Sequence, residues 1–315
     1  MSAARPPVGA AAAAARRVRR RRARRALVLV LAVVAVLGGA VVGVVALLGA
    51  LDSRGPIIER CDAVLAGDVT ASLAPDQADN AALLTAVAVH RGLPARAATI
   101  AIATAIQESK LRNIEYGDRD SVGLFQQRPS QGWGTVEQIM DPVYATNAFY
   151  DVLVTIEGYE DLQVTDAAQS VQRSAFPDAY ADHEQTARAF ASAMTGHTPA
   201  GLTCLLQPAT EQEAAGAGAA VTERLARDFV TVTATTQADG SVLVEGGSLA
   251  PTASEAEQVR LGWAVAQWAV ATADATGVSK VTTDGMTWDR ADGARAAWQP
   301  APEAPALEPG QVVLR

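Results

Sequence analysis

The chain has 315 residues, with 26 Lys and Arg against 34 Asp and Glu for a formal net charge of −8; that length allows a membrane segment and one or two domains of roughly 100–200 residues. The charge is uneven: nine arginines fall within the first 25 residues and no acid precedes Asp52, so the remainder holds 17 basic against 34 acidic residues, a net of −17. An acidic body of this kind excludes nucleic acid as its partner.

Residues 1–25 are a basic arm set directly before residues 26–51, a run without a single charge. The run exceeds the ~20 residues needed to cross a bilayer and the roughly 7–15 apolar residues of a cleaved signal. A single N-terminal transmembrane helix is therefore expected, with the arginines holding the N-terminus in the cytoplasm and the C-terminal domains outside the membrane. The alternative is a cleaved signal peptide, for which Leu48-Gly49-Ala50 supplies small residues near the end. Both readings export the body, and residues 52–60 become a short link.

Two cysteines, Cys61 and Cys204, lie in the exported part, where a lone pair is expected to form a disulfide. That bond brackets one folded unit over 61–205. His90, His183 and His197 show no supporting motif, and no two His or Cys sit at ligand spacing. Neither a metal site nor a cofactor is expected.

Within the bracket the pattern is mainly helical. Residues 63–72 alternate weakly, as a small strand would. Pro75 suits a first helical position for a helix with Leu83, Leu84, Val87 and Ala88 on one side. Gly92 and Pro94 stop it and start a second, about 95–110, whose Ala, Ile and Thr permit close packing. Further helices are predicted over 135–140, over 143–156 with Ala145, Phe149 and Leu153 at a repeat of four, from Thr165 to before Pro177, and over 178–196. Composition then shifts. Residues 206–220 read as a small-residue linker, and 221–315 as a small α+β domain of unassigned role. That domain is expected to hold a helix over 221–228, strands over 229–235 and 241–245 about a turn at Asp239-Gly240, a helix opened by Ser254 and Glu257 and reaching Gly277, and strands over 280–283 and 311–314. Its Trp263 shares a helical stripe with Val259, Ala266 and Val270 that reads as core.

Glu108 falls in the last turn of the second helix. The negative end of the helix dipole and the small apolar neighbours both disfavour its ionised form, so its pKa is expected to rise. A raised carboxyl is what protonation of a glycosidic oxygen near neutral pH requires.

Glu108-Ser109, followed fifteen residues on by Gly123-Leu124-Phe125-Gln126-Gln127, resembles the pattern of soluble lytic transglycosylases and their lysozyme-like relatives. In that group a Glu-Ser at a helix end precedes a Gly-Leu-(Met/Phe)-Gln turn. The downstream block AAQSVQRSAFP at 167–177, with Tyr180, lies where the superfamily places its third groove-lining segment, but departs from the usual Ala-Tyr-Asn-Ala-Gly form. The resemblance covers 61–204 and marks the chain as similar to an exported, actinobacterial-type variant. It implies a mainly α lysozyme-like domain and, as partner, the glycan strands of peptidoglycan, cut at the N-acetylmuramic acid–N-acetylglucosamine β-1,4 bond. Glu108 would be the catalytic residue, acting first as acid and then as base while a 1,6-anhydro ring closes. A hydrolase would more often use a second carboxylate, for which Asp118 and Asp120 are available; the other reading of these two is a polar turn pairing with Arg119.

The candidate substrate-binding residues are Ser109, Gln126, Gln127, Asp118, Asp120, Gln169, Arg173 and Tyr180. Strand alternation would send only one of the two glutamines into a groove, and Gln126 matches the motif. Ser109 is expected to orient Glu108, and Phe125 to belong to the core. Trp133 and Tyr180 are placed either against sugar faces or in the packing. Gln169 and Arg173 would share a helix face with Gln172 beside them. The competing functional reading is a non-catalytic peptidoglycan-binding protein or an envelope scaffold with a lysozyme-like domain.

Overall fold

A computed structural model describes residues 19, 25, 27–29, 31–45, 57–65, 69–173, 177–303 and 306–315. Most of the basic arm, the end of the expected span at 46–51, the link at 52–56 and residues 174–176 of the downstream block lie outside the described residues. The chain divides into two units, Met1–Pro56 and Ile57–Arg315. In the first, helix α1 (Leu27–Val45) has a mean hydropathy of 3.0 and is long and apolar enough to cross a membrane.

The second unit is built on helix α3 (Ala95–Ser109), which packs against α2 (Pro75–His90), α5 (Pro142–Leu153), α6 (Val164–Gln172) and α7 (Glu184–Met194). The composition of α3 explains its central place. Ala97, Ala98, Ala101, Ala103 and Ala105 are wholly buried, and their small side chains let four neighbours approach one axis. A short helix, α4 (Val136–Met140), is opened by a reciprocal capping box between Thr135 and Gln138.

Beside these helices lies a three-stranded antiparallel sheet ordered β2-β1-β3, from β1 (Arg60–Leu65), β2 (Val69–Leu73) and β3 (Leu202–Leu205). The weakly alternating stretch thus becomes a hairpin. β3 was not foreseen, although it carries one of the two cysteines. Cys61 stands directly opposite Cys204 in the β1–β3 register, and the two form the disulfide.

The expected linker is corrected by the structure. Helix α8 (Glu211–Asp228) runs through it, started by a capping box between Thr210 and Glu213, and buries Ala217, Val221 and Leu225. Phe229, expected in a strand, ends that helix and packs edge-on against Trp268 at 5.4 Å. A six-stranded antiparallel sheet follows, ordered β4-β5-β9-β6-β7-β8. It comprises β4 (Thr233–Thr236), β5 (Val242–Glu245), β6 (Lys280–Thr283), β7 (Met286–Asp289), β8 (Gln299–Pro300) and β9 (Gln311–Leu314). Helix α9 (Glu255–Ala271) is covered on nearly every side, and α10 (Ala273–Thr276) ends at Gly277 in the left-handed conformation. At the start of α9, Ser254 Oγ accepts from the Glu257 amide, but the Glu257 carboxylate pairs with Arg260 and does not close the box.

The two expected domains form one compact unit. Buried Gln267 on α9 donates to the carbonyls of Ala193 (2.6 Å) and Thr198 (3.1 Å) and accepts from the Leu202 amide (2.8 Å). Trp288 and Trp298 donate to Thr203 Oγ1 and the Leu202 carbonyl. Arg224 on α8 pairs with Asp79 on α2 (3.0 Å) and with wholly buried Asp228 (2.8 Å), which also accepts from Trp268 Nε1 at 2.9 Å.

Candidate active site

The end of α3 sets the geometry. Lys110 and Leu111 turn left-handed, at φ 54° and 58°, and close the helix with bonds back to Ile106 and Ala105. The side-chain amides of Gln77 and Asn80, from the first turns of α2, donate to the carbonyls of Lys110 (2.8 Å) and Leu111 (3.0 Å). No sequence motif announced this brace; it exists because α2 and α3 fold side by side.

Glu108 is half-buried in that last helical turn. Its Oε1 accepts a 2.7 Å hydrogen bond from the hydroxyl of Tyr180, which is wholly buried in the short 3-10 segment Pro177–His183. Burial raises the Glu108 pKa above its usual value, and the hydrogen bonds from Tyr180 and Gln172 oppose the rise without cancelling it. Gln172 sits at the end of α6 and also donates to the Phe125 carbonyl at 2.7 Å. One amide thereby links the carboxyl, α6 and the Gly-Leu-Phe-Gln turn.

That turn is compact for steric reasons. Gly123 adopts φ 81°, and a Cβ there would stand 2.9 Å from the Ile139 carbonyl oxygen. An antiparallel bridge joins Val122 to Gln127, and Phe125 stacks on Phe149 in the core at 4.5 Å.

Several expected contacts are corrected. Ser109 is buried, and its hydroxyl donates to the carbonyls of Ala105 and Leu124 (3.1 and 2.7 Å), so it ties the turn to the helix and does not face a ligand. Gln127 is likewise buried, donating to the Ala145 carbonyl at 3.2 Å. Gln126 is half-buried and folds back onto the carbonyls of Tyr116 and Gly123. Tyr180 holds the acid rather than stacking on a sugar. Asp118 is exposed beside Arg119 at 3.8 Å. Asp120 accepts from the Ser130 amide and from Arg128, both at 2.8 Å, and these bonds hold its pKa well below the carboxylate range. It is a turn residue whose partner is Arg128, not Arg119.

Gln169 lies half-buried on α6, whereas Arg173 sits past the helix end in the left-handed conformation, so the expected shared face stops short of it. Arg173 and Gln172 instead line a cleft of about 420 Å³ with Gln131, Gly132, Trp133, Val152 and Val171. Among the described residues no three His, Cys, Asp or Glu side chains converge as a metal set. What the arrangement offers chemically is one carboxyl biased towards its protonated form, with a polar cleft next to its Gln172 partner. No family model matches the chain, and no curated protein matches it.

Proposed function

We propose that the chain is a membrane-anchored, extracytoplasmic enzyme with a lysozyme-like helical region that cleaves the N-acetylmuramic acid–N-acetylglucosamine β-1,4 bond of peptidoglycan. The observation that carries this reading is the Glu108 carboxyl, half-buried at the end of α3 and held by Tyr180 at 2.7 Å. In the proposed reaction Glu108 gives its proton to the glycosidic oxygen as the bond to C1 breaks. The muramic 6-hydroxyl then attacks C1, and its proton passes to the Glu108 carboxylate, which restores the acid. A single-acid route is favoured because Asp118 lies out in solvent and Asp120 is committed to Arg128 and Ser130. The arginines before α1 would keep that end in the cytoplasm and put Ile57–Arg315 on the wall side.

A second reading, a non-catalytic glycan-binding or scaffold protein, is favoured by one observation: the cleft is lined by Gln172, and Glu108, hydrogen-bonded to that residue, is not among its lining residues. Digestion of purified sacculi by the full chain in detergent separates the two. The enzyme reading predicts 1,6-anhydro muropeptides by mass spectrometry, lost by more than about 100-fold in Glu108→Gln, as removal of a general acid should give. Binding without product supports the second reading, and reducing-end products would replace the anhydro route with hydrolysis.

A further inference from the structure

We propose that the cleft at the end of α6 is a subsite for a carboxylate carried on the glycan, gripped by Arg173 while Trp133 supports the sugar; this rests on the glycan-cleaving reading above. The cleft lies between the turn at Gln131–Trp133, Val152 of α5 and the last residues of α6, and its volume of about 420 Å³ falls in the roughly 300–1,000 Å³ range of small-ligand sites.

Three observations point to an anion. Arg173 is the one charged residue among those lining the cleft, in a part of the chain where acids outnumber bases two to one. Its side chain is exposed and makes no ion pair among the described residues. A guanidinium left in this state presents a planar fork of donors suited to a carboxylate.

Trp133 supplies the neutral half. It is half-buried against the core, and its indole N–H has no acceptor among the described residues. The other four tryptophans all donate internally, to Asp284, Asp228, Thr203 and the Leu202 carbonyl. An apolar face with a spare donor at its edge is the arrangement that takes a pyranose ring and one of its hydroxyls. The backbone adds a further point. Arg173 stands at φ 53° and ψ 40°, a conformation in which glycine is the usual helix-ending residue. An arginine there keeps a side chain where the backbone conformation favours none.

The carboxylate has two sources in a peptidoglycan strand: the stem peptide, or the lactyl group once the peptide has been removed. Binding is measured on the full chain in detergent carrying Glu108→Gln, so that nothing turns over. Three probes are used: soluble peptide-bearing glycan fragments, the same fragments stripped of peptide, and chitin oligosaccharides, which carry no carboxylate. The expected result is at least about 10-fold tighter binding of a carboxylate-bearing probe than of chitin, weakening with added salt. Tight binding of the first probe alone assigns the stem peptide, tight binding of the stripped probe alone assigns the lactyl carboxylate, and equal tight binding of both assigns a site that takes either carboxylate.

Adding Arg173→Gly should reduce the preferred probe to the chitin level without lowering the melting temperature, because glycine suits that backbone. Arg173→Asn, which also suits a left-handed helix end, should lose the preference in the same way and stands in as the decisive variant if the glycine protein fails to fold. Equal binding of all three probes, or a preference that survives Arg173→Gly, overturns the subsite while leaving the cleavage reading to the sacculus digest. No binding of any probe overturns both.

Discussion

Burial presses the Glu108 carboxyl towards its neutral form, and a place in the last turn of a helix works in the same direction. The Tyr180 hydroxyl works the other way, because a donor bonded to the carboxylate stabilises its charged state. Tyr180→Phe removes that donor, so the Glu108 pKa should rise further. A general acid acts only while it holds its proton, and activity is lost as pH climbs through its pKa. The alkaline limb of the pH–rate profile on soluble glycan should therefore move to higher pH in Tyr180→Phe; a shift to lower pH would contradict this role. The sequence singled out residues here, and the fold supplies their contacts. The Glu-Ser and Gly-Leu-Phe-Gln pattern singled out Glu108, and the downstream block at 167–177 singled out Tyr180, but only the fold puts the tyrosine hydroxyl on the acid and turns Ser109 and Gln127 inward.

At the scale of elements, helices α2 and α8 are joined by a sparsely hydrated ion network. Arg224 bridges Asp79 and Asp228, and Arg227 reaches Asp228 at 2.7 Å. Removing one partner of a buried pair leaves the other charge uncompensated. Arg224→Ala is expected to lower stability by about 3 kcal/mol, at the low end of the range for such losses because Arg227 remains. The shift in urea midpoint at unchanged slope measures it. The sequence made long, strongly patterned elements plain: α2, α3 and α5 fall where their apolar spacing put them, and β6 and β9 match their expected bounds. It hid the first half of α8, expected only over 221–228, because Gly216 and Gly218 in AAGAGAA read as linker although Thr210 and Glu213 spell a capping box. The sequence marks neither β3 nor β7 as a strand, and length alone does not explain it, since β6 and β9 are equally short at four residues. β3 is fixed by β1, far away in sequence, whereas β7 forms a tight hairpin with β6.

At the scale of the molecule, the region after Gln207 does not behave as an appendage. Gln267 fills the hydrogen-bonding needs of Ala193, Thr198 and Leu202, and Trp298 and Trp288 serve the strand that carries Cys204. Cutting the chain there would strip a buried strand of these partners, and unsatisfied buried groups cost about 1–3 kcal/mol each. A fragment of residues 57–207 should show no cooperative thermal transition even with the disulfide intact, whereas 57–315 should unfold in one step. A stable 57–207 would contradict the single-unit view. The disulfide adds to the same unit. Its separation of 143 residues implies about 5 kcal/mol from chain entropy before strain is subtracted.

The whole account turns on whether Glu108 retains its proton beyond the pH at which an ordinary glutamate loses it. Selective carbon-13 labelling of glutamate side chains, with Glu108→Gln to assign the resonance, gives that titration directly on the full chain. The account predicts a midpoint above the ordinary 4.5, displaced upward again in Tyr180→Phe. A midpoint at or below 4.5 would mean a carboxylate held ionised, which has no proton to give a glycosidic oxygen at neutral pH.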